Sequence, residues 1–206
     1  MSTTFEVYPG KEYVPSFAEL LDISNERINS FLRDSGIIKS AILDVEIHKN
    51  IDHSKVKFNM NDKLIWNDDY YVWFFIRGVD GGTDSYYHKI TEFDKEIWKE
   101  EISINAKVRQ FADSINKSIE IGHYWSFRRS AGQPGIINLA YGLIAASLAK
   151  ITDGFIYSDD GAWDYDRFPA LAEDFFRWYF KPEFAGKSEY KMWAQNCIES
   201  IYEELK

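Results

Sequence analysis

The stretch "YYVWFFIRGVDGGTDSYYHKIT", residues 70–91, decides the fold class. Its first seven residues, Tyr70 to Ile76, form the strongest β signal in the chain, a nearly continuous run of aromatic and aliphatic side chains. A run of that kind predicts a central strand covered on both faces. Asp80, Gly81 and Gly82 then supply a turn, and "TDSYYHKIT" returns as a second strand, so the stretch reads as a hairpin or meander.

Further strand signals lie on either side. In "AILDVEIHK", Leu43, Val45 and Ile47 alternate with Asp44, Glu46 and His48, the pattern of a half-buried strand. In "SIEIGHYWSFRRS", Ile119, Ile121, His123, Trp125 and Phe127 share one face, opposite Glu120, Tyr124 and Arg128. "GFIYS", Gly154 to Ser158, reads as a short strand.

Helical spacing fills the rest. A short extended start leads into "SFAELLDIS" and "NERINSFLRDSG", with Ser24 or Asn25 as a cap and Gly36 as the stop. "EISINAKVRQFADSIN" reads as part strand and part helix, with a helix expected from about Asn105 to Ser114. Another follows in "IINLAYGLIAASLAK", whose Gly142, Ala145, Ala146 and Ala149 permit close packing. Pro169 suits a first helical turn in "PALAEDFFRWYF", and "SEYKMWAQNCIESIYEEL" closes the chain as a long amphipathic helix. Strand runs mixed with helix runs, without steady βαβ alternation, predict an α+β fold. The expectation is one domain over residues 1–206, with a mostly antiparallel sheet of about five to six strands packed against several helices.

Composition narrows the class. A 206-residue chain with 45% apolar and 28% charged residues can bury a real core. The aromatic share stands out, with 15 Phe, 13 Tyr and 7 Trp, a supply for a large-residue core and for binding surfaces. Net charge is −9, and residues 151–206 hold 12 acidic against six basic side chains. That balance argues against a phosphate backbone as partner, so no nucleic acid is expected. Cys197 is the single cysteine, in a helical pattern without a nearby His, and reads as a buried structural thiol in a reducing compartment. The N-terminus shows neither a basic n-region nor an apolar h-region, and "INLAYGLIAASLA" is too short to span a bilayer. A cytoplasmic protein without a membrane partner is expected.

Few residues carry chemistry. His48, His53, His88 and His123 lack metal-ligand spacing, so neither a metal nor another cofactor is expected. His123, on an apolar strand face, reads as a core histidine. No catalytic residue is assigned, since "GVDGG" lacks the lysine and helix of a phosphate loop and no GxSxG elbow is present. Arg128 and Arg129 end a strand just before a loop that opens a helix, a possible anion pocket or an ordinary surface pair. The stretch "YSDDGAWDYDRF", Tyr157 to Phe168, reads three ways. Asp159, Asp160 and Gly161 can turn the chain while Asp164 and Asp166 favour a helix start. Asp159, Asp160, Trp163, Asp164, Tyr165 and Asp166 can form an acidic and aromatic surface for a partner. Asp159, Asp160 and Asp164 can instead serve a small enzyme.

"GLIAASLAKITDGFIYSDDGAWDYDRF", Gly142 to Phe168, resembles the helix, strand and acidic-loop pattern of immunity proteins of bacterial contact-dependent growth inhibition and related polymorphic toxin systems. The small, acidic, aromatic-rich character of the chain resembles them too. The resemblance implies a binding protein that neutralises one cognate toxin, often a nuclease, by covering its active site. A small enzyme and a self-associating structural subunit stand as alternatives, and the oligomeric state is open.

Overall fold

The computed structural model describes residues 2–160, 162 and 167–205. The fold is α+β. Its strands are β1 (Ser2–Tyr8), β2 (Leu43–Lys49), β3 (Lys55–Val56), β4 (Tyr70–Ile76), β5 (Thr83–Lys89), β6 (His123–Ser130), β7 (Phe155–Tyr157) and β8 (Ala170–Leu171). They form one antiparallel sheet in the order β3-β2-β4-β5-β6-β1-β7-β8. Eight strands exceed the five or six expected. The surplus comes from two-residue strands such as β3 and β8, too short to show an alternation in sequence.

The helices are α1 (Phe17–Asp34), α2 (Glu92–Ile104), α3 (Ala106–Arg109), α4 (Ala112–Ile121), α5 (Gly135–Ile151), α6 (Ala172–Trp178) and α7 (Ser188–Glu204). The main core lies between one face of the sheet and α1, α5, α6 and α7, where Phe5, Val7, Phe74, Trp125 and Phe127 meet Leu20, Ile144 and Phe175. Helix α5 is buried almost throughout, and at Gly142 it needs a missing side chain. A β-carbon there would stand 2.2 Å from the ring of Tyr179, whose hydroxyl donates to the Asn138 carbonyl at 2.7 Å.

Five local expectations are corrected. Residues 105–114 hold no single helix and no strand, but α3 and the start of α4, parted at Gln110 and Phe111. Residues 16–36 hold one helix, not two. Ser16 caps α1 in a box with Glu19, whose carboxylate accepts the Ser16 N–H at 2.7 Å. Asn25, expected as a cap, sits mid-helix and bridges to the start of β2. Its amide accepts from Leu43 N–H at 2.8 Å and donates to the Leu43 carbonyl at 3.2 Å, and Asn29 does the same one turn on with Ala41. Ile119 and Ile121 belong to α4, which ends at Gly122 with φ 87°, so β6 starts only at His123. β4 is central but buried on one face, since Tyr71, Trp73 and Phe75 reach solvent between Val72, Phe74 and Ile76. Pro169 precedes β8, and the helix starts only at Ala172.

Candidate partner-binding surface

Side chains alternate along a strand, so the sheet has a second row on the side away from the main core. At the β1, β6 and β7 end, α2, α3 and α4 cover that side and make a smaller core of Tyr8, Trp98, Val108, Ile115 and Phe155. Toward β5, β4 and β2 the row stays part-exposed. Its middle is Tyr71, Trp73 and Phe75 of β4. β2 sets His48, Glu46 and Asp44 beside them, in register with Tyr71, Trp73 and Phe75. On the other flank β5 sets Asp84 against Trp73. Trp73 lies over the turn, where a β-carbon on Gly82 would stand 2.5 Å from the indole. Residue 82 must be glycine for the ring to lie there.

Ion pairs fix the charges around this aromatic strip. Arg77 binds Asp44 at 2.7 Å, Lys55 binds Glu46 at 2.6 Å, and Arg128 binds Asp84 at 2.7 Å. The Lys55 ammonium beside Glu46, with His48, holds its carboxyl below the usual range. The ladders then define a band across the sheet: Glu46, Trp73, Asp84, Arg128 and Thr4. Four strand spacings make it about 19 Å long. At its end the free Thr4 N–H donates to Asp160 at 3.0 Å. The acidic loop after β7 is thereby tied to the same surface.

Glu6 lies on this side one register step from Thr4, beside Ser126 on β6 and Tyr157 on β7. Tyr8 donates its hydroxyl to Glu6 at 2.9 Å. Burial, reinforced by the carboxylates of Asp159, Asp160 and Asp94, pushes Glu6 up to about 7. Ser126 also meets His88, with Oγ 2.8 Å from Nε2. Burial lowers the His88 pKa, so its imidazole is neutral at pH 7. The pair has the spacing of a nucleophile and base, yet Ser126 lies mid-sheet with β5 and β1 both paired at its position. The neighbouring backbone N–H groups serve those ladders and cannot form an oxyanion hole.

A cavity opens where β4 and β5 part. Their pairing stops at Val72 and Ser85, while β5 runs on to Lys89. The slot holds about 950 Å³ and is walled by Trp66, Tyr70, Tyr87, His88 and Tyr124, with Asp68 and Asp94 at its rim. A second hollow of about 460 Å³ shares Asp68 and Tyr70 with it.

The residues singled out from sequence are placed unequally. Asp159 and Asp160 are exposed beside the sheet band, and Asp160 also accepts from the Ser158 hydroxyl at 3.3 Å. Trp163, Asp164, Tyr165 and Asp166 lie outside the described residues. Tyr157 packs on Trp98, and Phe168 is buried against Phe5. Arg128 and Arg129 do not share a pocket, because consecutive strand residues point to opposite faces. Arg129 turns inward, donating to Asn138 at 2.6 Å and Thr3 at 3.1 Å, over the rings of Tyr141 and Trp193. The N-terminus of α5 does bind an anion, and it is the chain's own. The Glu204 carboxylate accepts from Gly135 N–H at 2.7 Å and Ile136 N–H at 2.9 Å. Cys197 is buried, and burial pushes its thiol up. His123 is a buried ring between Tyr87 and Trp125.

Among the described residues, no group of three His, Cys, Asp or Glu side chains could hold a metal ion. None of their helices is long and apolar enough to cross a membrane. Sequence reasoning passed over Trp73, Glu6 and the slot. The outward row of Asp44, Glu46 and His48 was in view, but reading β4 as covered on both faces hid the aromatic strip beside it. No family model, no curated protein and no solved structure matches the chain.

Proposed function

We propose that this protein is a cytoplasmic binding protein that neutralises a cognate bacterial toxin by laying its open sheet face over the toxin's active site. The observation that carries the reading is the strip of Tyr71, Trp73 and Phe75, part-exposed on the outward side of a central strand. An antiparallel sheet that simply faced water would place polar residues there. Aromatic side chains at the middle with paired charges around them have the anatomy of a protein interface. Asp159 and Asp160 at one end and Asp68 at the other form no ion pair among the described residues. Such carboxylates steer a basic partner, and a nuclease cleft built to hold phosphate is basic. The same charge disfavours nucleic acid itself. Asp159, Asp160, Trp163, Asp164, Tyr165 and Asp166 extend the surface in this reading.

The test is co-expression with a toxin whose gene neighbours this one, in a bacterial host that the toxin kills. Growth should be restored by the parent protein and lost with Trp73→Ala, at equal levels of folded protein. Rescue undiminished by Trp73→Ala would remove the strip from the interface.

A second reading has one specific observation behind it. Glu6, held near 7 by burial and by the neighbouring carboxylates of Asp159 and Asp160, has the raised pKa that a general acid or base uses. Glu6 does not line the slot, however, and its Tyr8 bond and burial account for it as part of the fold.

A further inference from the structure

We propose that the slot between β4 and β5 is a socket for an arginine side chain, presented by an extended segment of the partner. This rests on the reading of the chain as a binding protein, though not on the partner being a toxin.

Three features select the occupant. The walls include the aromatic rings of Tyr70 and Tyr87, with Trp66 beside Tyr87 at 6.2 Å between centroids, while Tyr124 is already stacked between Tyr8 and His88. A planar guanidinium stacks on such faces with less desolvation than an ammonium. Asp68 comes from the loop before β4 and Asp94 from the first turn of α2, so carboxylates stand on two sides. One Asp94 oxygen is engaged by Thr91, through its N–H at 2.7 Å and its hydroxyl at 2.6 Å, and the other takes no hydrogen bond among the described residues. Asp68 makes no ion pair among the described residues, leaving it open to the forked N–H groups of an arginine. Lys89 is the one cation in the lining. His88, stacked on Tyr124 at 4.7 Å, adds none at neutral pH. The charge of the slot is therefore negative.

Size fixes the manner of delivery. At about 950 Å³ the slot exceeds what one side chain fills and sits at the upper end of ligand cavities. A few residues of backbone on either side of the arginine would occupy the remainder. The slot opens between the strands that carry Tyr71 and Tyr86, so one partner can cover the aromatic strip and insert this segment together.

The probe is the blocked peptide acetyl-Gly-Arg-Gly-amide, titrated into the full-length protein and followed by amide and indole shifts in two-dimensional NMR. Peptides with citrulline or lysine in place of arginine are the comparison. Saturable shifts should centre on the Trp66 indole N–H and the amides of Tyr87 and Lys89. Citrulline, of the same shape without the charge, should bind about tenfold more weakly, the share of a charge-assisted hydrogen bond. Asp68→Asn, an exposed loop change, should weaken the arginine peptide to a similar degree while leaving the spectrum otherwise intact. Equal binding of citrulline, shifts centred elsewhere, an unaffected Asp68→Asn or no saturation would each overturn the proposal. Because the peptide is tested alone, a failed socket leaves the co-expression result standing, and a failed rescue leaves the socket result standing.

Discussion

Glu6→Gln separates a buried carboxyl from its charge without changing its size. In the fold Glu6 keeps its proton to about 7, against an ordinary value of 4.5. Between those values the unfolded chain has released a proton that the folded chain still holds, so stability is full below 4.5 and is lost as pH rises through 7. The shift corresponds to about 3 kcal/mol at pH 8, and solvent reaching the half-buried side chain brings the expected figure nearer 2 kcal/mol. Glutamine removes that cost and still accepts the Tyr8 hydroxyl. The groups facing Glu6 are Tyr8, Tyr124 and Tyr157, Asp94 from α2, and Asp159 and Asp160 from the loop. His88 and His123, both lowered by burial, reduce stability as pH falls below their ordinary range, in parent and variant alike. Urea denaturation at pH 5, 6, 7 and 8 isolates Glu6 as the difference between the two proteins. The variant should match the parent near pH 5 and gain about 2 kcal/mol by pH 8, or about 5 °C in Tm. A difference that is flat with pH, or a less stable variant at pH 8, would refute the reasoning.

Three further outcomes are expected. Trp125→Ala should cost about 3–5 kcal/mol in chemical denaturation, because the ring is fully buried and its indole N–H bonds the Leu64 carbonyl at 2.8 Å. Glu204→Ala should cost about 1–2 kcal/mol and fray the start of α5 in hydrogen exchange, since two backbone N–H groups lose their carboxylate; protection unchanged at Gly135 and Ile136 would dismiss the cap. Asp159→Asn with Asp160→Asn should slow association with the cognate toxin and reduce its salt dependence at nearly constant Tm, as the amide of residue 160 can still accept Thr4 N–H. An unchanged association rate with a lower Tm would make the two aspartates structural.

The parts legible in sequence are those where one pattern decides. β2 showed its alternation, α7 its apolar face, and Trp125 and Cys197 their burial. Short strands failed because two residues carry no period, and Ile119 and Ile121 failed because a helix end and a strand start can imitate one alternation until Gly122 is placed. Asn25 looked like a cap because its alternative partner, the backbone of Leu43, is 18 residues away. Arg129 and Glu204 were illegible for the same reason. Arg129 meets Thr3 across the sheet, and Glu204 reaches a helix that starts 69 residues earlier. The candidate surface was half legible. Its acids appear in the chain as a cluster, but the strip of Tyr71, Trp73 and Phe75 shows only once the covering helices are seen to stop short of β4.

Affinity of the cognate toxin for the parent protein and for Trp73→Ala, measured by calorimetry beside a melting curve of each, tests most directly whether the open sheet face is the interface. The expected result is a loss of about 2 kcal/mol in binding, near thirtyfold, typical of a central aromatic anchor, with Tm changed by only a few degrees because the ring is part-exposed. Undiminished affinity in a correctly folded Trp73→Ala protein would contradict it.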